Sequence, residues 1–90
     1  PDTDPQPPRT ADEWRADGQR LLKSGATLEA YDRLAAGLRA WPGDLRMRQL
    51  LALALARSGA SRDANTLLAA LVSEGHDDEE TLGLLARTHK

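Results

Sequence analysis

The chain has 90 residues, of which 40% are hydrophobic and 29% are charged, and its formal net charge at pH 7 is −2. This length allows one domain, and the nearly balanced charge excludes a general attraction to nucleic acid or to a membrane surface. Aromatic residues make up only 3%, and the apolar residues are mostly leucine and alanine, which favours helices over a β-sandwich or barrel. Because cysteine is absent, no disulfide or thiolate metal site is possible. We expect a cytoplasmic protein.

The first nine residues are rich in proline, with Pro1, Pro5, Pro7 and Pro8. Such a segment cannot hydrogen-bond as a helix and has little to bury, so we predict a disordered tail over residues 1–9. A proline-rich ligand for a recognition domain is the alternative, although the proline spacing suits it poorly. The segment has no apolar core and is not a signal peptide, and no apolar run reaches the roughly 18 residues of a membrane span. We expect the chain to be part of a larger multidomain protein.

Capping residues and glycines divide the remaining chain into five predicted helices. Thr10 and Glu13 form a capping box at the start of the first helix. Thr27, Asp44 and Ser61 are predicted N-caps of the next three helices, which end at Pro42-Gly43, Ser58-Gly59 and Gly75. The predicted helices span about 11–23, 28–40, 45–57, 62–74 and 79–90.

The third predicted helix, Leu45–Arg57, is so rich in leucine and alanine that it cannot have only one buried face. Its neighbours must therefore cover it on more than one side, and the short turns make them antiparallel to it. In the second helix, Leu28, Tyr31, Leu34 and Leu38 are predicted to lie together on one side. The predicted fold class is all-α.

The chain resembles itself after a shift of 34 residues. Small residues recur where helices would cross closely, large ones where they would interdigitate, and caps where the turns are expected. The equivalent positions are Gly18, Ala52 and Ala86; Leu21 and Leu55; Gly25 and Gly59; Thr27 and Ser61; Ala30 and Ala64; Leu34 and Leu68; and Leu38 and Val72.

The period and these residues resemble the tetratricopeptide repeat (TPR), whose pattern is W-x2-L-G-x2-Y, then A-x3-F, then P. Trp14, Gly18, Ala30 and Pro42 match it in the first repeat, while Arg48 replaces the tryptophan of the second. The resemblance implies a right-handed α-solenoid of antiparallel helix pairs. Its repeats would span residues 11–44 and 45–78, with the start of a third at 79–90.

A narrower resemblance concerns residues 80–90 alone. They are similar to a segment of the TRAF-binding region of mitogen-activated protein kinase kinase kinases, which is built of TPR-type helices and also occurs in bacterial multidomain proteins. This similarity implies a longer helical array attached to an effector domain.

The only local cluster suited to metal binding or acid–base chemistry is His76 with the acidic residues at 77–80. We interpret it as a turn followed by helix-capping carboxylates, because one imidazole is too few for a catalytic metal site. No nucleophile elbow or phosphate-binding glycine loop is present. We predict no enzyme activity, no metal and no cofactor.

The TPR resemblance implies a concave groove lined by the first helix of each pair. Guanidinium groups and leucines are combined at the groove positions, which suits a polypeptide partner with acidic residues flanking a hydrophobic side chain. These positions are Arg15, Gln19, Arg46, Gln49, Leu50, Leu53, Arg57, Glu80, Gly83, Leu84 and Arg87.

Two alternatives to a peptide-binding scaffold are open. The strip of Leu50 and Leu53 with Leu84 would allow self-association into a homo-oligomer, or packing on further repeats. The chain would otherwise be a regulatory fragment of a larger signalling enzyme whose catalytic residues lie elsewhere. Neither nucleic acid nor a membrane is expected as a partner.

Overall fold

The computed structural model describes residues 10–76 and 78–88, which form five α-helices and no β-strand. The predicted all-α fold is thereby confirmed, whereas the predicted tail at 1–9 lies outside the described residues, as do Asp77, His89 and Lys90. No helix in the described part is long and apolar enough to cross a membrane. The helices are α1 (Ala11–Lys23), α2 (Thr27–Ala40), α3 (Leu45–Arg57), α4 (Ser61–Ser73) and α5 (Glu79–Thr88).

Helices α1 and α3 begin at the predicted caps. The Thr10 hydroxyl accepts a hydrogen bond from the Glu13 backbone N–H at 3.1 Å, and the Glu13 carboxylate accepts one from the Thr10 N–H at 2.9 Å. The Asp44 carboxylate accepts from the Met47 backbone N–H at 2.8 Å. Both caps satisfy backbone donors that have no partner within the helix.

The turn after α1 reverses the chain through a Schellman motif. The Gly25 N–H donates to the Leu22 carbonyl at 3.2 Å, and the Ala26 N–H donates to the Leu21 carbonyl at 2.9 Å. This motif requires a left-handed residue, and Gly25 has φ 87°. The same pair of hydrogen bonds recurs after α3 and α4. Turns this short make the paired helices antiparallel.

Two predicted caps were wrong. Thr27 and Ser61 are the first residues of α2 and α4, and the N-caps are Ala26 and Ala60, neither with a side-chain cap hydrogen bond. The Schellman motif explains this. Ala26 and Ala60 donate the last hydrogen bond of the motif after α1 and α3, and the same two residues are the N-caps of α2 and α4. Ala26 also packs against the hydrophobic core, where a polar capping side chain would be costly.

The helices form two layers. Helices α1 and α2 pack as one antiparallel pair and α3 and α4 as the next. Helix α3 also contacts α1, α2 and α5, so α1, α3 and α5 lie side by side in one layer. The prediction that α3 is covered on more than one side is therefore confirmed.

The pairs approach closely because glycines replace larger residues at the crossings. A Cβ at Gly18 would overlap Leu34 of α2, lying 2.6 Å from its Cγ. At Gly37 a Cβ would lie 2.7 Å from the Met47 sulfur and 2.9 Å from the Trp14 Cβ. Gly37 is thus the point at which α1, α2 and α3 meet.

The apolar side predicted for α2 was partly wrong. Leu34 is fully buried and Leu38 is half-buried against the core, but Leu28 is 74% exposed and Tyr31 is 39% exposed. The buried face of α2 instead combines small and large residues, among them Ala30 and Leu34. A row with small residues allows close helix packing, which leaves Leu28 outside the contact.

Candidate partner-binding site

A surface cavity of about 270 Å³ lies between α1 and α3. Four of its residues come from α3 at spacings of four, three and four, which places them on one stripe of that helix. The other three come from the last two turns of α1. We call the seven lining residues the α1/α3 groove. They are Gln19, Leu22, Lys23, Arg46, Leu50, Leu53 and Arg57.

The floor of the α1/α3 groove is apolar. Leu22 is 4% exposed and Leu50 is 2% exposed, so both belong chiefly to the core and offer only a small surface to a ligand. Leu53 is more accessible and packs against both core clusters. It is therefore the leucine best placed to contact an apolar side chain of a ligand.

The rim of the α1/α3 groove is basic. Arg46 forms an ion pair with Glu80 of α5 and donates a hydrogen bond to the Gln49 side-chain oxygen at 3.2 Å. Arg57 donates to the Leu22 carbonyl oxygen at 3.2 Å. Within the described part of the chain, Lys23 and Arg57 form no ion pair. Two cations beside an apolar floor are thus available to a carboxylate.

Arg15, one of the predicted groove residues, lies outside the cavity. Its guanidinium is 3.1 Å from the Asp44 carboxylate and 2.7 Å from the Asp12 carboxylate. Because Asp44 caps α3, this contact fastens α1 to the start of α3. The Arg15 guanidinium is therefore already paired with two carboxylates of the chain itself.

Five other predicted groove residues also lie outside the cavity lining, namely Gln49, Glu80, Gly83, Leu84 and Arg87. Gln49 is 3% exposed and donates to the Thr81 hydroxyl at 2.7 Å, and Thr81 donates to the Asp78 carboxylate at 2.8 Å. Leu84 is 7% exposed and packs in the core, while Arg87 lies exposed in the last turn of α5. Gln49 and Leu84 thus hold α5 on α3 and present little to a partner.

Hydrogen bonding lowers the pKa of two carboxyl groups near this end of the molecule. Donation from Thr81 is the main cause for Asp78, with a further contribution from Gln49. The Arg48 guanidinium, which donates two hydrogen bonds to Glu74 at 2.7 and 2.6 Å, lowers the pKa of Glu74 and has its own pKa raised. The Asp78 carboxylate accepts from Thr81 near the start of α5, whereas the Glu74 carboxylate joins the end of α4 to Arg48 of α3, and neither lines the cavity.

Sequence reasoning missed Leu22 and Lys23, which line the cavity on the α1 side. The sequence does indicate Lys23 as a groove residue, because the 34-residue shift makes it equivalent to the predicted groove residue Arg57. The same shift places Leu22 on Ala56. The repeat, applied backward from α3, would therefore have identified Lys23 but not Leu22, because Ala56 does not line the cavity.

The described residues contain no group of three or more His, Asp or Glu side chains arranged to hold a metal ion. In the acidic segment that follows α4, Asp78 is engaged with Thr81, and Glu80 with Arg46. Asp77 lies outside the described residues.

Comparison with known proteins identifies one family. The family model described as Tetratricopeptide Repeats-Sensor matches residues 24–90, which is most of the chain. No curated protein and no solved structure matches.

Proposed function

We propose, because the chain belongs to the Tetratricopeptide Repeats-Sensor family, that it is a protein-interaction module that binds a partner polypeptide in the α1/α3 groove. Repeats of this type generally mediate binding between proteins and are not usually catalytic. The observation that supports this site most strongly is the pair of basic side chains, Lys23 and Arg57, beside the apolar floor.

The spacing of charges along α3 suggests what the partner looks like. Arg46 and Arg57 are three helical turns apart, or roughly 16 Å at 1.5 Å per residue. An extended peptide covers that distance in about five residues. A suitable partner carries acidic residues about five positions apart, with a hydrophobic side chain between them that contacts Leu53. Its carboxylate at the Arg46 end would compete with Glu80.

The test uses labelled peptides selected from a library with an acidic–apolar–acidic pattern, and measures binding by fluorescence anisotropy. The double variant Lys23→Glu with Arg57→Glu should weaken binding at least about tenfold, because two attractive contacts become repulsive. The double variant Arg39→Glu with Arg62→Glu is the matched control, since it makes the same total charge change at exposed positions of α2 and α4, outside the groove. Circular dichroism should show unchanged helix content in all variants.

Equal weakening by the groove variant and by the control Arg39→Glu with Arg62→Glu would mean that only overall charge matters, and would contradict the groove proposal. Unaltered affinity in Lys23→Glu with Arg57→Glu would mean that the binding site lies elsewhere. If peptides lacking the central apolar residue bound the wild-type protein with unchanged affinity, the role given to Leu53 would be contradicted.

Self-association through the leucine strip has less support in the geometry. Two of the three leucines invoked for it, Leu50 and Leu84, are 2% and 7% exposed and leave little surface for a second copy. The right-handed sense of the solenoid, a cytoplasmic location and a role within a larger signalling protein stay predictions. So does the similarity of residues 80–90 to the TRAF-binding region.

A further inference from the structure

The two ends of the α1/α3 groove differ in charge. At one end Arg46 is paired with Glu80 of α5, so its charge is largely compensated. At the other end Lys23 and Arg57 form no ion pair within the described part of the chain, and none of the seven lining residues is acidic. The positive charge of the groove is therefore concentrated where α1 and α3 end. We call Lys23, Arg57 and the neighbouring Gln19 the basic end of the groove.

One hydrogen bond brings the two cations of the basic end close together. The Arg57 side chain crosses from α3 to α1, where its guanidinium donates to the Leu22 carbonyl oxygen at 3.2 Å. Leu22 directly precedes Lys23, so the guanidinium lies beside the backbone from which the Lys23 side chain starts. Both side chains line the same cavity of about 270 Å³. A single anionic group in this cavity can therefore contact both cations.

The negative partial charge at the end of α1 is compensated. Carbonyl groups at the C-terminal end of a helix repel an anion when they have no hydrogen-bond donor. Here the carbonyl oxygens of Arg20, Leu21 and Leu22 all accept hydrogen bonds from backbone N–H groups of the turn that follows. The Ser24 hydroxyl adds a second donor to Leu21, and Arg57 adds one to Leu22. The two cations therefore dominate the charge of the basic end.

The donors of the basic end match a phosphoryl group more closely than a carboxylate. A carboxylate has one negative charge and two oxygens, whereas a phosphorylated serine carries about −1.5 to −2 at pH 7 on three acceptor oxygens. The basic end offers two positive charges, and the side-chain amide of Gln19 is a third donor. Guanidinium groups bind phosphate oxygens through two parallel N–H groups, and lysine binds phosphate as a point charge. Charge and donor number thus both favour a dianion.

We propose that the basic end binds a phosphorylated side chain of the partner polypeptide, an inference that rests on the peptide-binding function proposed above. Leu53 lies about one helical turn from Arg57, or roughly 6 Å along α3. An extended peptide covers that distance in about two residues, and it reaches Arg46 in about five. The partner segment therefore carries a phosphoserine or phosphothreonine, an apolar residue about two positions away and an acidic residue about five positions away.

The probes are peptides with blocked termini that differ at one position only. The first is phosphoserine-Thr-Leu-Thr-Gly-Asp, the second has glutamate in place of phosphoserine, and the third has serine there. Each is also made in the reverse order, because either chain direction satisfies the spacing. Fluorescence anisotropy gives the affinity, and two-dimensional NMR of the ¹⁵N-labelled 90-residue chain locates the peptide.

The phosphopeptide should bind at least about fivefold more tightly than the glutamate peptide, because its additional charge and oxygen find donors. The serine peptide should bind more weakly than either. Saturable shift changes should include the amides of Lys23 and Arg57. Lys23→Gln and Arg57→Gln should each reduce the preference for phosphate to less than about twofold, whereas Lys23→Arg, which keeps the charge, should retain it. Both side chains are exposed, and circular dichroism should show unchanged helix content.

Arg46→Gln is the matched control, because it removes the same charge from the other end of the groove. That end is roughly 16 Å from Arg57 along α3. The distance exceeds the Debye length of about 8 Å at physiological ionic strength, so the two ends act independently. Arg46→Gln should therefore weaken binding of the phosphopeptide and of the glutamate peptide by the same factor and leave their ratio unchanged.

Equal affinities of the phosphopeptide and the glutamate peptide would overturn this inference and leave the proposed function intact, whereas absence of binding by every peptide would overturn both. A phosphate preference that survives in both Lys23→Gln and Arg57→Gln, or that Arg46→Gln abolishes, would mean that the phosphoryl group binds elsewhere. Inorganic phosphate is added alone as a further probe. If it bound at the same amides as tightly as the phosphopeptide, the ligand would be free phosphate and the assignment to a partner polypeptide would be wrong.

Discussion

Gly37→Ala is the substitution that tests the packing of the first three helices most sharply. In a helix interior, alanine is favoured over glycine by about 0.5–1 kcal/mol, so propensity alone predicts a more stable protein. The added Cβ would, however, lie 2.7 Å from the Met47 sulfur and 2.9 Å from the Trp14 Cβ. Overpacking of a core typically costs about 1–3 kcal/mol. The Trp14 Cβ is held by the backbone and cannot move aside cheaply.

We therefore expect Gly37→Ala to lower the free energy of unfolding by about 1 kcal/mol, the difference between these two effects. For a domain of this size, that corresponds to a melting temperature lower by about 4–8 °C. The measurement is thermal and urea denaturation followed by circular dichroism. Gly83→Ala is the matched control, because Gly83 lies inside α5 and its added Cβ would meet nothing within 4 Å.

Gly83→Ala should raise the melting temperature by about 3–6 °C, since only the propensity gain applies. The sign of the effect is thus opposite for the same chemical change at two helical glycines. If both variants were stabilised equally, the close approach of α1, α2 and α3 at Gly37 would be refuted.

Three further predictions concern polar contacts. Asp44→Ala should destabilise the protein by about 1–2 kcal/mol through loss of the α3 cap, whereas Thr27→Ala should change stability by less than about 0.5 kcal/mol in the same urea titration. Gln49→Ala should cost about 0.5–1.5 kcal/mol in that assay, because it removes the buried hydrogen bond to Thr81. An unchanged midpoint would contradict that hydrogen bond. The pKa values of Glu74 and Asp78 are lowered in the folded protein, so their ionised carboxylates stabilise the folded state. This stabilisation is fully present above the carboxyl pKa of the unfolded chain, about 4, and is lost as the pH falls through the pKa values of the folded protein. Acid titration of the double variant Glu74→Gln with Asp78→Asn should show a shallower loss of stability below about pH 4 than the wild type, and an equal slope would argue against these contacts.

The parts of the fold that were predictable depend on local chemistry. The Thr10 capping box, the Asp44 cap and the bounds of α3 follow from short-range hydrogen bonding and helix-ending residues, and all three agree with the structure. The caps at Thr27 and Ser61 failed because the Schellman turn assigns the capping position to the preceding alanine. A preference for threonine or serine at a cap is a weaker constraint than a turn whose backbone is already fixed.

The candidate site was only partly predictable. The groove positions implied by the TPR resemblance included Arg46, Leu50, Leu53 and Arg57, and the structure brings these four together with Gln19. The resemblance does not reveal that the Gln49 side chain binds Thr81, because that contact joins residues 32 positions apart in sequence. Long-range polar partners of this kind appear only when the helices are packed.

The most direct test of the central claim is the set of intermolecular nuclear Overhauser effects between a bound acidic–apolar peptide and the leucine methyl groups of the protein. Binding in the α1/α3 groove predicts contacts from the apolar side chain of the peptide to Leu53. Contacts only to Leu28 on α2, or to the outer side of α4, would contradict it.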